Sequence, residues 1–169
     1  MKLPSTLAKY RPISVTSVLA HIFDKLIAKH FLYPAIHDKM SRNGFNNQFA
    51  FRPTASTEAA IIKTVDIVTN YLAISNKYVN MLCLDVAKAF DTIVHKFILN
   101  ALLLYNIGDE VYNLIIDYLS HRQHSTRFQG QTSDFENINS AVIQGSGLGP
   151  VLYSMATSNF NIVHKNNSS

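Results

Sequence analysis

The apolar positions of this chain repeat at helical spacing in five stretches and cluster as short runs in three. Residues 17–33, SVLAHIFDKLIAKHFLY, carry Val18, Ile22, Leu26 and Ile27 on one helical face, with Leu19 and Phe23 beside them. Ser17 can cap the start, and Pro34 is expected to end the run because proline cannot donate to a continuing helix. A second helix is predicted from Ser56 or Thr57, as its cap, to about Leu72, with Glu58 facing the positive end of the dipole. Residues 91–106 predict a strongly apolar helix that stops before Gly108, and Asp109 is expected to cap another, to about Ser120. Residues 151–160 suit a short fifth helix.

The runs read differently. After a turn at Asn76-Lys77, residues 78–85, YVNMLCLD, form a compact apolar run that predicts a buried strand ending on an acid. Residues 124–129 and 135–143 predict two further strands joined by a turn containing Gly130. Between elements lie a loop rich in Asn, Gly and Pro at 41–55, a glycine cluster, QGSGLGP, at 144–150, and a frayed-looking tail ending HKNNSS. No internal repeat is present. The mixture predicts an α+β class with the strands in the later half.

Composition adds few constraints. Hydrophobic residues make up 47% of 169 and charged residues 15%, which excludes a disordered chain. The low charge also suggests surface that other chain or a partner covers. The net charge of +4 is uneven: residues 1–60 hold eight basic and three acidic residues, the remainder seven and eight. A basic first third suits phosphate contact and equally suits a solvated surface. Cys83 stands alone, so no internal disulfide is possible, which suits a reducing compartment; within the cell, nucleus and cytoplasm both stay open. No apolar run nears the roughly 18 residues that cross a bilayer, and no secretory signal is visible.

Asp85 is the first candidate for chemistry. At the end of an apolar strand and before a helix-forming stretch, its carboxylate suits Mg²⁺ and phosphoryl transfer, and it suits a helix cap as well. A phosphotransfer enzyme with Asp85 as nucleophile would want an acid two residues on, where Ala87 stands.

The surrounding residues narrow this. Leu84-Asp85-Val86-Ala87-Lys88-Ala89-Phe90-Asp91-Thr92-Ile93-Val94-His95 resembles the LDxxKAFDTVxH signature of non-LTR retrotransposon reverse transcriptases. Three more elements follow the same order. Tyr10-Arg11-Pro12-Ile13-Ser14 is similar to YRPIS, Gln48-Phe49-Ala50-Phe51-Arg52-Pro53 with Ser56-Thr57 to QFGFRPxxST, and Gln144 to Pro150 to PQGSxLGP. Arg122 and Gly130 also fall where the family often has an arginine and a glycine. Each element alone is weak, but four in order over residues 8–160 are specific. Ile143 departs from the family's usual proline, and the sequence holds no Asp-Asp pair, which the family carries in a hairpin after the glycine-rich element. The expectation is a domain truncated before that hairpin.

The resemblance implies a partial polymerase right hand: mostly fingers over about 1–77, mostly an incomplete palm over about 78–160, and a frayed tail at 161–169. It implies that Asp85 is the first metal-binding aspartate and that the Val86 carbonyl shares its ion. It implies that Phe90 packs under the incoming sugar and excludes a 2′-hydroxyl, although an aromatic there also suits core packing. Gln144 would contact the nucleotide, with Gly145 allowing close backbone approach; a plain turn before a helix is the other reading. Arg52 and Arg11 would meet triphosphate or template phosphates, with a structural role for Arg11 equally open. Asp91 and His95 read as structural. In the complete enzyme two Mg²⁺ ions, an RNA template, a DNA primer and dNTPs are implied. One carboxylate cannot hold two ions in register, so no polymerase activity is expected from this chain unaided. The alternative is an inactive retroelement remnant or nucleic-acid-binding fragment.

Overall fold

The computed structural model describes residues 14–41, 48–52, 55–74, 78–143 and 145–158. Its helices are α1 (Val18–Ile27), α2 (Tyr33–Ser41), α3 (Thr57–Ala73), α4 (Ala89–Thr92), α5 (His95–Leu102), α6 (Asp109–Leu119) and α7 (Gly149–Thr157). Four short strands, β1 (Gln123–His124), β2 (Arg127–Phe128), β3 (Gln131–Thr132) and β4 (Glu136–Asn137), complete an α+β arrangement. β1 pairs antiparallel with β4, and β2 with β3. Among the described residues no helix is long and apolar enough to cross a membrane.

α1 starts as its sequence predicts. The Ser17 hydroxyl accepts the Ala20 N–H at 3.2 Å and satisfies one of the helix's free donors. Pro34 does not end the run. A π-helical turn at Ala28–Leu32 precedes it, and the Tyr33 N–H donates to the Ala28 carbonyl five residues back. The widened turn relieves the clash a proline ring makes with the carbonyl four residues before it, so the chain continues into α2. The burial of α1 is also not that of its apolar stripe. Val18, Leu19, Ile22, Phe23 and Leu26 are exposed, and the inward residues are Asp24 and Ile27.

The core joins four helical segments. Ile27, Ala28, Leu32, Ala35 and Ile36 from α1 to α2 meet Ile98, Ala101, Leu102 and Tyr105 around α5. Val111, Ile115 and Leu119, one turn apart on α6, close one side. Leu148, Val151, Leu152, Met155 and Ala156 around α7 close the other. The Tyr105 hydroxyl donates to the Met155 carbonyl at 2.9 Å and stands 2.6 Å from the Ser158 hydroxyl. α3 is capped as predicted, with the Ala59 N–H on the Ser56 hydroxyl at 3.2 Å, yet it buries no residue.

Five predicted elements change. The helix over 91–106 breaks at Ile93 and Val94, which are extended, so α4 and α5 are separate. The backbone groups freed by the break pair with the chain before the glycine-rich loop: the Ala141 N–H donates to the Ile93 carbonyl at 2.8 Å, and Val94 bridges Ser140. α6 has Gly108 at its cap position without a side-chain cap; Asp109 lies inside the first turn. The strands predicted over 124–129 and 135–143 shrink to two-residue pieces. The segment 78–85, predicted as a strand, is irregular and unpaired. Leu82 is 83% and Leu84 84% exposed. A strand is stabilised by a ladder partner, and no described residue supplies one.

Candidate nucleotide site

Asp85 stands near the end of the irregular segment 78–86, exposed, as is Val86. Lys88 then takes a left-handed backbone conformation, φ 53°, and turns the chain into α4. That turn directs Phe90 inward, where it becomes half-buried. Its ring meets Phe51 edge-on at 5.5 Å between centroids and lies tilted against Tyr153 at 4.8 Å. Both geometries are favourable for aromatic pairs. Residues from three separate sequence elements thus converge: Phe51 from the 48–53 loop, Phe90 from α4, and Tyr153 from α7.

Backbone bonds hold the segment that leads into the glycine-rich loop to the same point. The Val142 N–H donates to the Phe90 carbonyl at 2.8 Å, and the His95 N–H to the Asn139 carbonyl at 3.0 Å. His95 is buried, and its Nε2–H donates to the Ala141 carbonyl at 2.8 Å, the structural role expected of it. Ala141 adopts φ 76° between these anchors, a costly conformation for a residue with a Cβ. Gly145 follows with φ +91° and open space where a side chain would stand. Gln144 and Arg11 lie outside the described residues.

The 48–52 loop docks on α7. Ser154, fully buried, donates to the Ala50 carbonyl at 3.3 Å and accepts from the Gln48 amide at 3.4 Å. Arg52, half-buried, donates through Nη1 to the Gln48 carbonyl at 3.1 Å. Its guanidinium is therefore engaged in shaping its own loop.

On the far side of the glycine-rich loop sits Asp24 of α1, 6% exposed. The Gly147 and Leu148 N–H groups donate to its carboxylate. Burial pushes its pKa up, while those two bonds and the charges of His21 and Arg122 pull it down, and burial prevails. Burial likewise raises the Tyr118 phenol, with the Ser146 hydroxyl opposing and the Asp24 charge adding to the rise. Arg122 stacks on the Tyr118 ring at 5.0 Å and donates to the Tyr118 carbonyl.

Of the residues the sequence singled out, Phe90 is met by Phe51, the neighbour of Arg52, and by Val142, which precedes Gly145 by three residues. Asp85 and Val86 are five and four residues before Phe90 but project into solvent. Sequence reasoning gave no role to Tyr153 or Asp24. Tyr153 is one of several apolar residues on α7, and an acid in an amphipathic helix ordinarily faces water, so neither carries a distinguishing local signal. Among the described residues no group of three or more His, Cys, Asp and Glu is arranged to hold a metal ion. The donors at hand, one carboxylate and one carbonyl, suit a single Mg²⁺ that keeps waters or substrate phosphates, and do not suit two.

Phe51, Phe90 and Tyr153 thus form an aromatic cluster against the segment that leads into the glycine-rich loop, with Asp85 exposed five residues before Phe90. Residues 2–166 match the reverse transcriptase (RNA-dependent DNA polymerase) family. The chain is 33% identical over 149 residues to a probable RNA-directed DNA polymerase from transposon X-element of Drosophila melanogaster, covering 86% of this chain and 16% of that protein. It is 29% identical over 160 residues to the RNA-directed DNA polymerase from mobile element jockey of Drosophila funebris, covering 92% and 16%. A Pol polyprotein from the type-1 retrotransposable element R2 of Popillia japonica is 32% identical over 82 residues, 48% of this chain and 14% of that protein. No solved structure matches. The chain belongs to the reverse transcriptase family, on the branch carried by non-LTR retrotransposons. It spans about a sixth of the length of the curated relatives it matches.

Proposed function

We propose that this chain forms the nucleotide-binding portion of an RNA-directed DNA polymerase, with residues 1–77 mostly fingers and 78–160 mostly palm. The observation that carries the reading is the convergence of Phe51, Phe90 and Tyr153, with Val142, two residues before the glycine-rich loop, bonded to the Phe90 carbonyl.

Each residue then has a task. The Phe90 ring, braced on two sides, forms a rigid wall under the incoming sugar, and a 2′-hydroxyl would collide with it. Gln144 offers an amide that donates and accepts, and so holds a sugar hydroxyl without adding charge. Gly145 lets the backbone approach the nucleotide, because nothing occupies the space beside it. Arg11 and Arg52 would meet triphosphate or template phosphates, for which a guanidinium fork is suited. Asp85 and the Val86 carbonyl would hold Mg²⁺, which neutralises charge on the transferring phosphate when bound. Template RNA, primer DNA and dNTPs are the ligands of the complete enzyme.

Primer extension on the purified chain, with Mg²⁺ or Mn²⁺, tests the catalytic side of this reading. No extension is expected, because the sequence holds no aspartate pair to complete a two-ion site. Robust template-directed extension that depends on Asp85 would overturn that expectation. Titration with a fluorescent deoxynucleoside triphosphate tests binding: measurable affinity in Mg²⁺, reduced by Phe90→Ala, is expected. The second reading, a fragment that binds nucleic acid without catalysis, draws on the eight basic residues among the first 60. It predicts RNA retention that falls steeply with salt and is indifferent to Phe90→Ala.

A further inference from the structure

α1 turns a carboxylate inward while five of its large apolar residues face out. That inversion needs a reason, since a buried charge costs free energy unless it is hydrogen-bonded. The reason lies in the loop opposite. The Gly147 and Leu148 N–H groups both donate to Asp24, and neither is held by a helix or a strand. The approach is close. A Cβ at Gly147 would stand 2.8 Å from the Lys25 backbone nitrogen and 3.0 Å from the Asp24 Cβ, so a glycine is required where loop and helix touch. On its other side the loop is braced internally, with the Gly149 N–H on the buried Ser146 hydroxyl at 2.8 Å.

We infer that Asp24 is a positioning residue for the glycine-rich loop: its carboxylate fixes the Gly147 and Leu148 amides against α1 and thereby sets the path of the loop from Gly145 onward, beyond the Val142 bond to Phe90. The loop is tied at both ends, by the Val142 bond to Phe90 on one side and by Asp24 on the other. The exposed Gly145 lies between the two ties. A helix in the first third of the chain thus determines the geometry of a loop some 120 residues later. The groups around the carboxylate are His21, Arg122 and Tyr118, with the Ser146 hydroxyl near Tyr118. That this geometry matters for a nucleotide rests on the function proposed above; the tie itself does not.

The test uses the full 169-residue chain and two variants, Asp24→Leu and Asp24→Asn. Leucine matches the side chain's size and removes every acceptor, whereas asparagine keeps one oxygen. Hydrogen–deuterium exchange at residues 145–149, the melting midpoint, and affinity for a fluorescent deoxynucleoside triphosphate with Mg²⁺ are read together. In Asp24→Leu the Gly147 and Leu148 amides are expected to exchange about 10- to 100-fold faster, the range that a lost hydrogen bond to a charged group is worth. The midpoint should be unchanged or higher, because a desolvated charge has been removed. Asp24→Asn should restore part of the protection. Wild-type exchange at these two amides in Asp24→Leu overturns the inference. So does a loss of protection that spreads over all elements in step with a lower midpoint, which would mark an ordinary core residue. If the leucine variant does not fold, partial protection in Asp24→Asn supports the inference and full wild-type protection overturns it. Failure of the wild-type chain to bind the nucleotide removes the proposed function and leaves the exchange result to decide the role of Asp24.

Discussion

At the scale of single residues, burial decides which polar groups matter. Asp24 shows this through pH. Folding raises its pKa from 3.8, so the fold prefers the protonated form. That contribution is complete below the unfolded value and is lost as pH rises through the raised folded value. Asp24→Asn should therefore flatten the pH dependence of the melting midpoint in this acidic window, as followed by thermal melts at closely spaced pH. An unaltered slope would assign the dependence to another acid. Tyr105 is a second case. Burial pushes its phenol up to about 12, so it remains a hydrogen-bond donor at any ordinary pH. Tyr105→Phe leaves the Met155 carbonyl without that donor and should cost about 1–2 kcal/mol in chemical denaturation. Leu152, fully buried, should cost more: about 2–5 kcal/mol for Leu152→Ala, through lost burial and a residual cavity.

At the scale of elements, a well-formed helix and a well-packed helix are different things. α3 is long and properly capped, but it presents Ile61, Ile62, Val65 and Leu72 to solvent. Its amides should exchange by local opening well below the global unfolding free energy, whereas those of α5 and α6 should approach it. Native-state exchange separates the two cases, and equal protection in all three helices would refute the assignment. The loop preceding the glycine cluster shows the opposite relation. It has almost no regular structure, yet bonds from Ala141, Val142 and His95 fix it on the α4–α5 break. Irregular backbone is ordered here because its N–H groups find carbonyls that an unbroken helix would have kept for itself.

At the scale of the whole molecule, the exposed apolar surface predicts association. Val18 and Leu19 on α1 and Leu82 and Leu84 on the unpaired segment 78–86 all project into water. Unpaired backbone beside apolar side chains is a template for further pairing. Sedimentation of the chain should show concentration-dependent self-association. Leu82→Ser with Leu84→Ser should reduce it without lowering the melting midpoint, since neither leucine is in the core. A monodisperse monomer at all concentrations would contradict the prediction.

What the sequence determined by itself was the family and the local structure. Four motifs in order identified a reverse transcriptase, and Ser17 and Ser56 announced two helix starts through their own hydroxyls. Those signals are short-range, so the residues that make them are neighbours in the chain. The tertiary structure decided everything that depends on a distant partner. It carried α1 through Pro34 by a π turn and broke the helix after Thr92 in favour of pairing with residues 139–142. It left YVNMLCLD without the ladder its pattern predicts. It also turned Asp24 inward, because only a folded chain brings the Gly147 and Leu148 amides to a helix that precedes them by more than a hundred residues. Periodicity describes what one segment can bury; which face is buried is set by what arrives to cover it.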